Sequence, residues 1–122
     1  MNDFSKIDKS DVRTMEIDGK PEVMLNARGV LQLAYLGWAD ERLPKGEEAM
    51  RRYCQYISMR GYSGGASNAL KRWKSVDVRD GVDWLKSTFA RYVTNEADAM
   101  RYVMGGILSN VGVKPRHLWL GI

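Results

Sequence analysis

Two short runs rich in hydrophobic and β-branched residues lie near the start of the chain, and farther on the hydrophobic residues recur every three or four positions. The two runs flank the sequence Asp-Gly-Lys-Pro, which predicts a β-hairpin over residues 12–25. The predicted fold class is mainly α, with this small N-terminal hairpin. The helical spacing predicts about five short helices, at residues 27–40, 47–60, 66–74, 82–93 and 95–109.

The register of the hairpin depends on the length of its turn. A two-residue turn at Asp18 and Gly19 sets Met15 opposite Glu22. A three-residue loop instead sets Met15 opposite Val23 and puts both on one face. The pattern leaves both registers open.

The first predicted helix, residues 27–40, carries hydrophobic side chains nearly all round its circumference. Such a helix is either central in its own domain or docked against another chain. We favour the central position, with the other helices packed around it. The alternative is a structural subunit that buries this helix in a homo-oligomer.

A chain of 122 residues suits one domain and leaves little room for a second. Residues 1–10 are polar and without pattern, so we predict a flexible arm there and a single compact domain over residues 11–122. No run approaches the roughly 20 apolar residues that cross a bilayer, and the N-terminal residues lack the layout of a signal peptide. We expect a cytoplasmic protein with no membrane partner.

The formal net charge of +4 is unevenly distributed along the chain. Residues 1–50 contain seven Lys and Arg against ten Asp and Glu, which gives −3, whereas residues 51–101 contain ten against five, which gives +5. If the two parts are also separate in space, the surface is polarised and steers an anionic partner to one side. If they interleave in space, the polarity averages out.

Basic residues stand beside aromatic ones throughout the second half of the chain. Helical spacing turns Tyr53 and Trp73 toward the core, whereas Trp84 and Tyr102 fall on the polar faces of their helices. Trp84 is therefore either covered by another segment or available to a partner. The pairs are Arg52-Tyr53, Arg60-Gly61-Tyr62, Arg72-Trp73, Arg91-Tyr92 and Arg101-Tyr102.

Cations that neutralise phosphates and rings that stack on bases are the side chains that a nucleic-acid surface uses. We therefore predict a small non-enzymatic binding protein that contacts DNA, RNA or a nucleoprotein complex. The candidate contact residues are Lys71, Arg72, Lys74, Trp84, Arg91 and Tyr102.

The alternative function is a protein–protein adaptor or inhibitor encoded by a phage or another mobile element. Two adjacent glycines in the predicted helix 95–109 either bend it or let another segment approach closely. The hydrophobic residues near the end of the sequence pack either internally or on a partner protein. The candidate contact residues for this function are Gly105, Gly106, Ser109 and Trp119.

The inventory of reactive side chains argues against catalysis. Cys54 is the single cysteine and His117 the single histidine, which excludes a Cys/His zinc cluster. A Ser or Cys triad would have to recruit that one histidine. Adjacent acids such as Glu47 and Glu48 are typical of a helix N-terminus, where the helix dipole favours them. We predict no catalytic residue, no metal site and no cofactor, although the sequence leaves a carboxylate-only Mg²⁺ site open.

The segment from Val12 to Leu36 contains Glu-Ile-Asp-Gly-Lys-Pro-Glu-Val followed by a predicted helix. It resembles the opening of BRO-N-type phage antirepressor domains, which also begin with a hairpin around an Asp-Gly-x-Pro turn. The resemblance covers about a fifth of the chain, and the aromatic residue and the Ala-x-Asp-Val run expected after that turn are absent. It implies a phage regulator that acts on DNA, and no functional residue is carried over.

Overall fold

The structure is a computed structural model that describes residues 4–40 and 45–120. It confirms a mainly α fold with an N-terminal two-stranded antiparallel hairpin. The strands are β1 (Val12–Ile17) and β2 (Lys20–Leu25). The helices are α1 (Ala27–Ala39), α2 (Gly46–Met59), α3 (Ala66–Ser75), α4 (Val78–Tyr92), α5 (Glu96–Gly106) and α6 (Leu108–Val111), and two 3-10 turns cover Lys9–Asp11 and Pro115–His117.

Helix α1 is the central element, as predicted. Every residue from Gly29 to Trp38 is buried, because α2, α4, α5, α6 and β2 surround the helix. Asn26 caps its first turn, where the side-chain oxygen accepts a hydrogen bond from the Gly29 N–H at 2.8 Å. Since α1 is covered within its own chain, it leaves no hydrophobic face for a second copy, and the oligomer hypothesis stays a prediction without that support.

The hairpin turn contains two residues, and this fixes the register. Asp18 and Gly19 have φ angles of 53° and 76°, the left-handed pair of values that a two-residue hairpin turn requires. Met15 therefore pairs with Glu22. The three-residue alternative, which sets Met15 opposite Val23, is wrong.

The C-terminal segment packs against the hairpin. Leu118 forms a parallel bridge with Leu25, and the Trp119 N–H donates a hydrogen bond to the Leu25 carbonyl oxygen at 3.0 Å. The guanidinium of Arg13 lies 4.4 Å from the centre of the Trp119 ring. The sequence predicted that the hydrophobic residues near the end of the chain pack either internally or on a partner protein. Trp119 packs internally, whereas Leu120 remains 64% exposed.

A buried carboxylate joins the N-terminal residues to α1. Asp11 is fully buried and accepts hydrogen bonds from the Arg28 Nε at 2.8 Å, the Asn26 Nδ2 at 3.0 Å and the Gln32 Nε2 at 2.8 Å. The Gln32 side chain in turn accepts a hydrogen bond from the Asp8 N–H at 2.9 Å. These polar groups form hydrogen bonds with one another in a hydrophobic environment. There, each neutral group without a hydrogen-bond partner would cost about 1–3 kcal/mol of stability.

Residues 4–10, part of the predicted arm, lie against the helices. Ile7 is only 3% exposed and belongs to the hydrophobic core. The Lys86 ammonium pairs with the Asp8 carboxylate at 2.6 Å and holds the pKa of that carboxyl well below its usual range. Sequence patterning did not predict this packing, because a single apolar residue among polar ones forms no period.

The sequence predicted one continuous helix over residues 95–109, but the structure has two helices there. Helix α5 ends at Gly106, and α6 begins at Leu108 after a break at Ile107. A Cβ atom on Gly106 would lie 2.8 Å from the Arg52 Nη1, so the glycine admits this side chain of α2. The close approach proposed for the glycine pair therefore occurs at Gly106, and the helix is interrupted at the next residue.

The close contact between α1 and α4 generates a first prediction. A Cβ atom on Gly81 would lie 1.9 Å from the hydroxyl oxygen of Tyr35, a buried side chain with little room to move. We expect Gly81→Ala to lower the free energy of unfolding by about 1–3 kcal/mol in urea denaturation. The control is Gly105→Ala, where nothing lies within 4 Å of the added carbon. It should be neutral or stabilising by up to about 1 kcal/mol, because alanine is the better helix former. Equal stability of Gly81→Ala and wild type would contradict this account of the packing.

The buried carboxylate generates a second prediction. Asp11→Ala leaves the Arg28 guanidinium partly buried without its counter-charge, so we expect a loss of about 3–5 kcal/mol in the free energy of unfolding. Glu47→Ala serves as the control, because it removes an exposed pair with Arg51 whose loss should cost under about 1 kcal/mol. Chemical denaturation followed by circular dichroism measures both. Similar losses for the two variants would show that burial adds nothing to the Asp11 interaction.

Candidate nucleic-acid interface

Helix α3 lies at the periphery of the helical core and packs chiefly on α2. Ala69, Leu70 and Trp73 are its buried residues, spaced so that they share one face. Trp73 anchors the helix because its indole N–H donates a hydrogen bond to the Gly81 carbonyl oxygen at 2.9 Å. The inward orientation predicted for Trp73 is therefore confirmed, and the opposite face of α3 is left to solvent.

The solvent face of α3 carries positive charge alone. The helix contains three cations and no carboxylate, and all three cations are exposed. The three cations produce a positive potential along the helix, because the helix has no carboxylate to offset them. The exposed residues of α3 are Ser67, Asn68, Lys71, Arg72, Lys74 and Ser75.

A groove of about 320 Å³ separates part of α3 from α4. Three of the six predicted contact residues, Arg72, Trp84 and Arg91, line it together. Tyr62 and Tyr92 complete its aromatic wall. The sequence had pointed to both rings through their basic neighbours, with Tyr92 at the margin of its helix's hydrophobic stripe and Tyr62 in a loop. Ser87 and Thr88 add hydroxyl groups to the lining.

The aromatic rings of the groove hold the two arginines. The Arg72 guanidinium lies 4.9 Å from the centre of the Trp84 ring, and the Arg91 guanidinium lies 5.4 Å from the centre of the Tyr92 ring. The Tyr62 ring meets both Trp84 and Tyr92 edge-on, at centroid distances of 6.4 and 5.7 Å. Neither guanidinium forms an ion pair with any carboxylate that the structure describes.

Trp84 is covered from within the chain, which was one of its two predicted fates. The Trp73 ring lies against it at a centroid distance of 4.0 Å, and the Arg72 guanidinium covers it as well. Neighbouring side chains thus occupy the ring and leave little of it for a base. Its position on the polar side of α4 reflects contact with α3, which sequence spacing within one helix cannot reveal.

Two other predicted contact residues lie away from the groove. The Lys74 ammonium sits 5.0 Å from the centre of the Trp38 ring, beside the end of α1. Tyr102 is half-buried between α5 and α2, where it stacks on Tyr56 at 4.6 Å and donates a hydrogen bond to the Arg52 carbonyl oxygen. Burial raises the pKa of Tyr102 to about 12. The structure therefore does not bring Tyr102 together with the basic residues of α3 and α4.

The residues predicted for a protein contact differ in their exposure. Gly106 is covered by the Arg52 side chain, and Trp119 is half-buried against the hairpin. Gly105 and Ser109 are exposed, near Met104, which is 50% exposed. The adaptor hypothesis stays a prediction.

The reactive side chains considered for catalysis lie in separate places. Cys54 is buried in α2, and burial raises the pKa of its thiol to about 12. His117 pairs with Glu22 at 2.9 Å on the hairpin. Within residues 4–40 and 45–120, no three His, Cys, Asp or Glu side chains are grouped so as to hold a metal ion.

Comparisons with protein-family models, curated proteins and solved structures found no match for the chain. The resemblance of residues 12–36 to phage antirepressor domains therefore gains no support. In the described part of the chain no helix has both the length and the apolar character needed to cross a bilayer.

The buried thiol generates a third prediction. Because Cys54 is fully buried and its pKa lies far above neutrality, we expect no reaction with a thiol reagent at pH 7 in the native state. In denaturant the same thiol should react completely, with absorbance of the released chromophore as the measurement. Rapid labelling under native conditions would contradict the burial of this residue.

Proposed function

We propose that this protein binds nucleic acid through the solvent face of α3 and the adjoining part of α4. The observation that carries the proposal is the pair of guanidinium groups at the groove, Arg72 and Arg91. Both rest on aromatic rings, and neither forms an ion pair with a described carboxylate. Arg28, by contrast, is held by an ion pair with Asp11.

The chemistry of the groove suits phosphate. A guanidinium that lies over a ring keeps its N–H groups at the edge of its own plane, where they can donate two parallel hydrogen bonds to phosphate oxygens. The rings reduce the freedom of both side chains before binding, so less entropy is lost when the phosphate arrives. The hydroxyl of Ser87, on the same wall, is a further donor for the same group.

The contacts that already cover the Trp84 ring also limit how nucleic acid can bind at the groove. Because Trp84 is already covered by Trp73 and Arg72, base stacking on this ring is disfavoured. The aromatic residues hold the arginines in place, and the arginines contact the phosphate backbone of the nucleic acid. Affinity should therefore come mainly from charge, with a strong dependence on salt.

Salt dependence tests this function and is the fourth prediction. Fluorescence anisotropy with labelled DNA and RNA, between about 50 and 200 mM salt, should show a steep fall in affinity for the wild-type protein. The variant Lys71→Gln/Arg72→Gln/Arg91→Gln should bind at least about tenfold more weakly at low salt, and the slope of log affinity against log salt should be shallower by about two to three.

A matched control separates the site from net charge. The variant Lys9→Gln/Lys20→Gln/Lys114→Gln removes the same number of exposed cations from outside α3 and α4. It should retain most of the affinity and of the slope. Three results would contradict the proposal: an affinity that does not change with salt concentration, no binding to DNA or RNA at low salt, or an equal loss of affinity in the two variants. Circular dichroism shows whether each variant is folded.

A further inference from the structure

We infer that the nucleic acid is duplex DNA and that α3 enters its major groove. This inference rests on the proposed function and specifies its ligand. Two features of α3 carry it: the distribution of polar side chains over its exposed face, and the confinement of its buried residues to the opposite face.

The exposed face of α3 combines charge with neutral hydrogen-bonding groups. Asn68, Lys71, Arg72 and Ser75 are spaced three and four residues apart, so they form one stripe along the helix. Ser67 flanks the stripe at the first turn. Asparagine, serine and lysine can all contact phosphates, and they also match the donors and acceptors on base edges.

The dimensions of α3 fit the groove of B-form DNA. An α-helix with its side chains is about 10–12 Å across, and the major groove is about 12 Å wide. In duplex RNA the corresponding groove is deep and narrow, so that side chains cannot read it. Helix α3 has its buried residues on one face and packs chiefly on α2, so the opposite face is open to solvent and available to a groove.

The residues beside α3 would then contact the DNA backbone. Trp84 draws Arg72 toward α4, where Arg91 lies on the same groove wall. These two guanidiniums are placed to bind phosphates along one edge of the major groove, while Asn68 and Lys71 face the bases. Asparagine binds adenine with two hydrogen bonds, and lysine binds guanine through its O6 and N7 atoms.

The fifth prediction compares ligands of one sequence. Anisotropy titrations with a DNA duplex, its single strand and the matching RNA duplex should show at least about tenfold tighter binding to the DNA duplex. In addition, bound protein should protect guanine N7, which lies in the major groove, from dimethyl sulfate. Adenine N3, which lies in the minor groove, should remain reactive.

A single substitution on α3 tests base contact. Asn68→Ala should change the bases preferred in a random-sequence duplex selection and leave the salt slope within about one unit of wild type. Gln55→Ala, another exposed amide on a helix, is the matched control and should change neither.

The outcomes separate the two proposals. Equal or stronger binding to single strands or to duplex RNA, or no protection of guanine N7, would overturn the major-groove inference and leave nucleic-acid binding standing. An Asn68→Ala selection identical to wild type would likewise overturn base contact by α3. Absence of binding to all three ligands at low salt would overturn the proposed function itself.

Discussion

The carboxylate of Asp11 fixes how the N-terminal third of the chain meets the helices. It orients the amide of Asn26, whose oxygen caps α1, and it binds Arg28 and Gln32 on the first turns of that helix. One buried group thereby sets where the hairpin ends, where α1 starts and how α1 is rotated. The backbone at this point is close enough that a Cβ atom on Gly29 would lie 2.4 Å from the Asp11 carbonyl oxygen. A buried ion pair adds little net stability over a hydrophobic contact, so geometry is its main contribution.

Periodicity was sufficient to predict most of the elements. The buried stripe of α3 and the apolar circumference of α1 both follow from residue spacing, and the structure has the helices within a few residues of the predicted ranges. Helix α4 differs most, because it begins at Val78 with Asp77 as its cap instead of at residue 82. Gly81 explains the difference. A glycine normally weakens a helix, but here the Tyr35 side chain requires it, and that contact spans two helices.

The sequence predicted the types of side chain at the candidate site, but only some of the residues that the structure brings together there. Repeated basic and aromatic neighbours indicated which side chains matter, yet the pairs that form in space differ from those in sequence. Arg72 adjoins Trp73 in the chain but stacks on Trp84 of another helix. Tyr102, which has the same sequence signature, belongs to the contact between α2 and α5. Helical spacing tells which way a side chain points from its own axis, and the neighbouring helix decides whether that direction leads to solvent.

The docking of the C-terminal segment on β2 has a consequence for the order of folding. The contact between Glu22 and His117 joins residues 95 positions apart, so its formation requires a very long loop to close. Hairpin and helical contacts close much shorter loops and form sooner. The segment that ends in Trp119 is therefore expected to be a late addition to a core assembled from α1 and its neighbours. During that interval the outer edge of β2 is unpaired, and it is then that an unfolded neighbour would find a strand with which to pair.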